Sequence, residues 1–414
     1  MRQDSDHQHF TPQPVSPAAL ECQDFDYQRY VPRPEDAFYS QWAAQPGADR
    51  VRELTGGPGS GKSWLLCHLH GRWNNGNPGR VVSVRIDFNQ AAPDTRAELR
   101  VWSAAIANRL TAFLPSLRPD EADWEAAPLK NQIEAMVGGL RNCQPAVTLV
   151  ILCDHIELAD PALLKIFDQE LLGPLLSSPC VKVLLVGRHI QHRWSLPVRE
   201  NLARTPPQAL REFDPTRAQQ QLEKAQLPNV LQFLYPLGYG GESPFVNDCL
   251  GRRAREVSLA DSARLAGAID ECVRDLLNRN APPEPQLTLD QIVRLRDLAV
   301  ARAFDVPQIK FSLQRLYGDE LTDRPVIEGF IGPWKQAGHI RQNTGELKGD
   351  AVSADLRPIL EAWLRVELGD DEWARRHQTA VDYYREARKG LLPEQQSLYD
   401  AEIAYHQGRC PQVQ

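Results

Sequence analysis

Apolar residues gather in short runs along the first half of the chain, at residues 50–55, 81–88, 147–153 and 181–186. Between them, residues 63–73, 96–114 and 129–141 carry apolar positions at helical spacing. Short apolar runs alternating with helices predict a parallel sheet whose two faces are covered by the connecting helices. The first run has the weakest strand pattern, because Arg52 and Glu53 interrupt it.

The pattern changes after residue 205. Residues 206–280 hold no strand signal, and 217–224 and 259–278 predict helices. The proline-rich stretch 281–285 predicts a linker. Beyond it, helices are predicted at 289–304, 307–317, 326–337 and 355–367, with 339–342 and 351–353 able to pair across 343–350. Helices followed by such a hairpin predict a winged-helix arrangement. The last two helices, 370–388 and 394–407, predict a tetratricopeptide-like hairpin, which alone does not establish a repeat array. Residues 1–24 are rich in Gln, Asp, Pro and His and read as a disordered tail, with His7 and His9 solvated.

Composition narrows the class. The chain has 414 residues, 42% hydrophobic and 24% charged, enough for several packed domains. Its formal net charge of -7 counts against nucleic acid as the main partner, while leaving room for a local basic patch. No apolar run is long enough to span a bilayer, and the N-terminus lacks a secretory pattern, so no membrane partner and a cytoplasmic location are expected. The eight cysteines form no CxxC pair; Cys67, Cys153 and Cys249 lie in apolar segments, and reduced thiols are expected.

The strongest chemical signal is Gly56-Gly57-Pro58-Gly59-Ser60-Gly61-Lys62-Ser63, which fits GxxxxGK[ST] at every fixed position. Glycines let the backbone curl around a phosphate with its amides pointing inward, and the helix that follows presents its positive end to the same anion. Lys62 is expected to reach the β- and γ-phosphates, and Ser63 to ligate magnesium (Mg2+). The motif follows a predicted strand and opens a predicted helix, as the mechanism requires. ATP with magnesium is the expected ligand.

A second element should supply an acid at a neighbouring strand end. The run 147–153 ends at Asp154, placed to hold magnesium. The next residue is His155 rather than a second acid, so hydrolysis needs another group to position the attacking water. Glu157 is the nearest candidate, and a solvated loop glutamate is the equal alternative. The run 181–186 ends at Gly187-Arg188, where an arginine could sense the γ-phosphate. Binding is better supported than turnover.

With these motifs in order, the sequence resembles the STAND class of signal-transduction P-loop ATPases, relatives of the AAA+ group with NACHT- or NB-ARC-like cores. The resemblance covers roughly residues 25–390 and is most specific at the P-loop. It implies that Tyr30 and Arg33, in Tyr30-Val-Pro-Arg33, lie near the adenine, and that Trp64 borders the nucleotide. It also implies that Pro244, ending Gly240-Gly-Glu-Ser-Pro244, packs on the nucleotide from a helical lid. Departures are His155 for the second acid, a lid motif one residue longer than the common form, and Ala354 where a histidine would contact ADP. The expected architecture is an α/β P-loop NTPase domain at 25–205, a helical lid at 206–284, a winged helix at 285–368 and a helical hairpin at 369–414.

The resemblance implies an ATP-operated regulatory switch, in defence or stress signalling, acting on a protein effector or by self-association, with slow or absent hydrolysis. A winged-helix DNA regulator is the alternative. Residues 284–365 hold eleven Lys and Arg against twelve Asp and Glu, which disfavours it. An ATPase with steady turnover is the third reading.

Overall fold

The computed structural model describes residues 22, 25–47, 49–75, 80–91, 95–117, 124, 126–144, 146–204, 208–278, 289–318, 323–343, 349–354 and 356–410. The tail before residue 22 and the 281–285 linker lie outside the described residues. The chain forms two compact units. One comprises the described residues up to Phe25 with Arg33–Leu54 and Ser63–Gln208; the other comprises Asp26–Pro32, Thr55–Lys62 and the described residues from Ala209 onward.

The first unit holds a five-stranded sheet. In chain order its elements are α1 (Pro34–Ala44), β1 (Val51–Thr55), α2 (Lys62–Asn75), β2 (Val81–Asp87), α3 (Thr95–Leu110), α4 (Leu129–Asn142), β3 (Thr148–Asp154), α5 (Pro161–Ile166), β4 (Val181–Gly187), α6 (Leu196–Asn201) and β5 (Gln208–Ala209). The strand order is β2-β3-β4-β1-β5, and β2, β3 and β4 pair in parallel. All seven residues of β2 and of β4 are buried, as a sheet covered on both faces demands. Phe88, Trp102 and Phe167 meet edge to face at 5.3–5.4 Å, closing the core between β2 and its flanking helices. The α/β P-loop fold expected from the apolar runs is thus present. The register sets Asp87 directly beside Asp154 at the C-terminal ends of β2 and β3.

The second unit is mainly helical: α7 (Pro215–Lys224), α8 (Leu231–Leu234), α9 (Pro244–Glu256), α10 (Ser262–Asn278), α11 (Leu289–Leu298), α12 (Val306–Tyr317), α13 (Arg324–Gln336), β6 (Ile340–Gln342), β7 (Asp350–Val352), α14 (Arg357–Arg388) and α15 (Pro393–Gln407). Strands β6 and β7 form the expected antiparallel hairpin. The break expected near residue 369 is a kink inside α14, where Gly369 takes φ 84°. The helix expected over 289–304 instead ends at Leu298, and Phe304 exchanges backbone hydrogen bonds with Asp350 of β7. Trp363, Trp373 and Tyr384 are buried.

Two sequence readings need correction. No helix is predicted over α9, yet it forms: Ser243 caps it, Pro244 occupies its first turn, and Val246, Cys249 and Leu250 bury one face. Cysteine pairing is the other. Cys22 bonds Cys67 within the first unit and Cys249 bonds Cys272 within the second, with Cα atoms 5.6 and 5.8 Å apart. Both pairs join residues far apart in sequence that packing brings face to face, a distance no sequence spacing encodes. Among the described cysteines, Cys143, Cys153, Cys180 and Cys410 are free. No described helix is long and apolar enough to cross a membrane.

Burial also sets an acid limit on the fold. His70 of α2 lies 8% exposed with its Nδ1 3.0 Å from Ser83 Oγ. Burial, reinforced by Arg109 and Arg85, lowers its pKa to about 4. Above pH ~6.5 the ring is neutral folded and unfolded; below it only the unfolded chain takes the proton, so stability falls as pH drops toward 4. Between pH 7 and 4.5 this group should remove about 2–3 kcal/mol. Urea melts at the two pH values should show a smaller loss in His70→Gln; an equal loss in both proteins contradicts this assignment.

Candidate phosphate and metal site

The P-loop joins the two units in sequence, since Gly56–Lys62 belong to one and Ser63 to the other. Within the second unit the loop is shaped by its glycines. Gly59 and Gly61 take φ 76° and 90°, left-handed values that cost ordinary residues energy. Lys62 is buried, and its Nζ donates to the carbonyls of Gly56 at 3.0 Å and Gly57 at 2.8 Å. The ammonium therefore folds back over the loop. Ser60 N–H donates to Gly57 O at 3.3 Å, tightening the same turn. A Cβ at Gly56 would meet Ser60 Oγ at 2.8 Å and Leu210 Cβ at 3.3 Å, so a side chain there would displace its neighbours.

The start of α9, expected from sequence to belong to a lid, reaches this loop. The backbone N–H of Phe245, second residue of α9, donates to Gly59 O at 3.3 Å. A Cβ at Gly59 would meet Leu276 Cδ1 of α10 at 2.7 Å, Phe245 Cβ at 2.9 Å and Ser243 Oγ at 3.2 Å. Pro244 thus stands one residue from a direct bond to the P-loop. Its carbonyl accepts from Gln221 Nε2 of α7 at 2.8 Å. Tyr30 is buried, and its carbonyl accepts from Lys224 Nζ at 2.7 Å.

In the first unit, Ser63 sits among the strand-end acids. Arg85 Nη2 donates to Asp87 Oδ2 at 2.7 Å and to Asp154 Oδ2 at 2.8 Å. All three side chains are at most 7% exposed. His155 Nδ1 lies 2.8 Å from Asp87 Oδ1, and its Nε2 lies 3.4 Å from Ser63 Oγ. Its backbone is left-handed, φ 55° and ψ 41°, with its N–H donated to Asp154 Oδ1 at 3.1 Å. Such strain in a non-glycine residue is typical of functional sites. Burial works against a charged His155, but Asp154, the Asp87 hydrogen bond and Glu157 outweigh it and raise its pKa. For Asp87, burial opposes ionisation and is outweighed by His155 and Arg85, so its pKa is lowered.

The expected hydrolytic residues meet each other rather than Ser63. Glu157 Oε1 is 3.4 Å from Arg188 Nε, and both side chains are almost completely buried. A Cβ at Gly187 would overlap Glu157 Oε2 at 2.6 Å, so the glycine makes room for the pair. The solvated-glutamate reading of Glu157 is therefore overturned by burial. Arg33 caps α1, its backbone N–H donating to Asp36 Oδ2 at 2.6 Å. Trp64 meets Phe25 edge to face at 5.3 Å, beside the Cys22–Cys67 bond. Asp87, Arg85 and His155 were not singled out as site residues in the sequence. Their signal was two charges, Arg85 and Asp87, on one face at the end of an otherwise buried strand.

Asp87, Asp154 and His155 offer ligand atoms within 4.8 Å of one another. With His155 neutral, two carboxylates facing one guanidinium leave a net negative charge next to the Ser63 hydroxyl. Oxygen donors with residual negative charge suit a hard divalent ion such as magnesium. Removing the internal cation should expose its structural share: Arg85→Met leaves two adjacent buried carboxylates and should destabilise the protein by about 3–5 kcal/mol. Chemical denaturation checks this, and a loss below about 1 kcal/mol would show that the pair is not truly desolvated.

No protein-family model and no curated protein matches the chain. Among solved structures, it is similar to a Walker-type ATPase of Pyrococcus abyssi at 13% identity and TM-score 0.48, covering 84% of this chain and 97% of that one. It is also similar to the Aeropyrum pernix ORC2 protein in ADPNP and ADP complexes, at 14% identity and TM-score 0.42 over 84% of this chain and 97% of that one. The Aeropyrum pernix ORC1 protein, solved in complex with DNA, gives 17% identity and TM-score 0.37 over 85% of this chain and 96% of that one. At these identities and scores no residue role transfers, and the chemistry of the site is carried by this chain's own side chains.

Proposed function

We propose that this protein is an ATP-binding regulatory P-loop protein in which nucleotide occupancy sets the arrangement of the helical lid. The observation that carries this reading is the bond from Phe245 N–H to Gly59 O, which ties the first turn of α9 to the loop that would hold the phosphates. Lys62 would exchange the Gly56 and Gly57 carbonyls for phosphate oxygens, relaxing the loop against α9. Magnesium, when bound, would neutralise phosphate charge; Ser63 and Asp154 are the residues proposed to hold it. Tyr30 and Pro244 remain the proposed adenine-side and lid contacts.

Slow turnover fits better than steady hydrolysis. Glu157 is engaged with Arg188, and the residue after Asp154 is a histidine held by Asp87. A switch of this kind needs a difference in affinity between the two lid arrangements, about 5.5 kcal/mol to move from 1:99 to 99:1. The output would pass to a protein effector or a second copy of the chain. The STAND-like assignment and a role in defence or stress signalling stay within this proposal. A DNA-regulator reading draws little support from α12, whose basic residues are only Lys310 and Arg315, the latter 3.7 Å from Asp382.

Lys62→Ala should abolish ATP binding with the fold intact; retained affinity within a few-fold would reject the site. Saturating ATP-magnesium should stabilise the wild type by about 2.7 kcal/mol at 100 times Kd, read as a rise in Tm. An unchanged Tm at that occupancy would reject a formed pocket.

A further inference from the structure

Ser63 is served by a relay of side chains from three elements. Asp87 ends β2, His155 follows β3, and Ser63 lies in the first turn of α2. Asp87 is an acceptor only, so the 2.8 Å contact makes His155 Nδ1 the donor. A cation held at Ser63 disfavours the charged ring, and in the neutral ring the lone pair is on Nε2, which faces Ser63 Oγ at 3.4 Å. Asp154 is engaged on both oxygens, Oδ2 by Arg85 and Oδ1 by the His155 amide. Glu157, the next acid, is paired with Arg188. His155 is thus the side chain placed to take the Ser63 hydroxyl hydrogen.

We infer that His155, oriented by Asp87, is a positioning residue that sets how strongly Ser63 binds the divalent ion accompanying the nucleotide. A serine hydroxyl ligates a cation through its oxygen lone pair and must aim its hydrogen elsewhere. An imidazole nitrogen accepting that hydrogen orients the lone pair toward the cation and increases the electron density on Oγ. Partners of this outer kind tune metal affinity by about 10–100-fold in other proteins. The ring lies between Asp87 and Ser63 on a left-handed backbone, φ 55° and ψ 41°. No other described titratable side chain holds both contacts. The sequence departure at this position is then a replacement with its own chemistry, rather than the loss of an acid.

This inference rests on the reading of Ser63 as the magnesium ligand, and the test separates the two. Kd for a fluorescent ATP analogue is measured on the full chain in magnesium and in EDTA. The ratio of the two values is the metal enhancement. His155→Asn tolerates the left-handed backbone but is too short to reach Ser63. It should cut the enhancement about tenfold while leaving the EDTA affinity within about twofold. His155→Gln, whose amide oxygen can accept the hydroxyl, should recover much of the loss. Ser63→Ala should lower the enhancement as well, and combining it with His155→Asn should add little, because both act on one interaction. An unchanged enhancement in His155→Asn, or additive losses in the double variant, would overturn the relay. No enhancement in the wild type would instead remove Ser63 as ligand, and no binding under either condition would remove the nucleotide site itself.

Discussion

One buried guanidinium governs the chemistry of the first unit. The parallel register sets Asp87 and Asp154 side by side, and two buried carboxylates in that position repel unless a cation lies between them. Arg85 donates to both, and the remaining carboxylate oxygens are taken by His155 through its ring and its amide. The left-handed turn at His155, its approach to Ser63, and the residual negative charge beside that hydroxyl all follow from this arrangement. A single arginine bridges both acids, and His155 meets the free oxygen of Asp87.

The second unit contributes a different constraint. Gly59 is where backbone of the P-loop meets backbone and side chains of the lid with no space for a Cβ. On the proposed reading, a change of loop shape around a phosphate would carry the first turn of α9 with it. The Cys249–Cys272 bond lies one helical turn beyond Phe245 on α9 and one turn before Leu276 on α10, so the two helices that touch Gly59 are also covalently joined.

The fold was largely readable because buried parallel strands need continuous apolar residues, and β3 and β4 have them. The P-loop was readable because its chemistry fixes residue type and spacing together. Arg85 and Asp87 were read only as strand residues, since their role depends on which strand lies beside β2. Glu157 and Arg188 were each placed at a strand end, but their mutual pairing depends on a turn geometry that Gly187 permits. Helix α9 was missed although Val246, Cys249 and Leu250 line one face, because charged and polar residues surround that short stripe. The disulfides were hidden for the same reason as the arginine bridge: both are long-range contacts.

The central claim is that the phosphate loop and the first turn of the lid respond to nucleotide as one element. Amide hydrogen exchange of the full chain, with and without saturating ATP-magnesium, addresses it directly. ATP-magnesium should raise protection across 56–63 and change it together at the Phe245 amide, with neither effect in Lys62→Ala. Protection confined to 56–63, with Phe245 unaltered, would contradict the coupling.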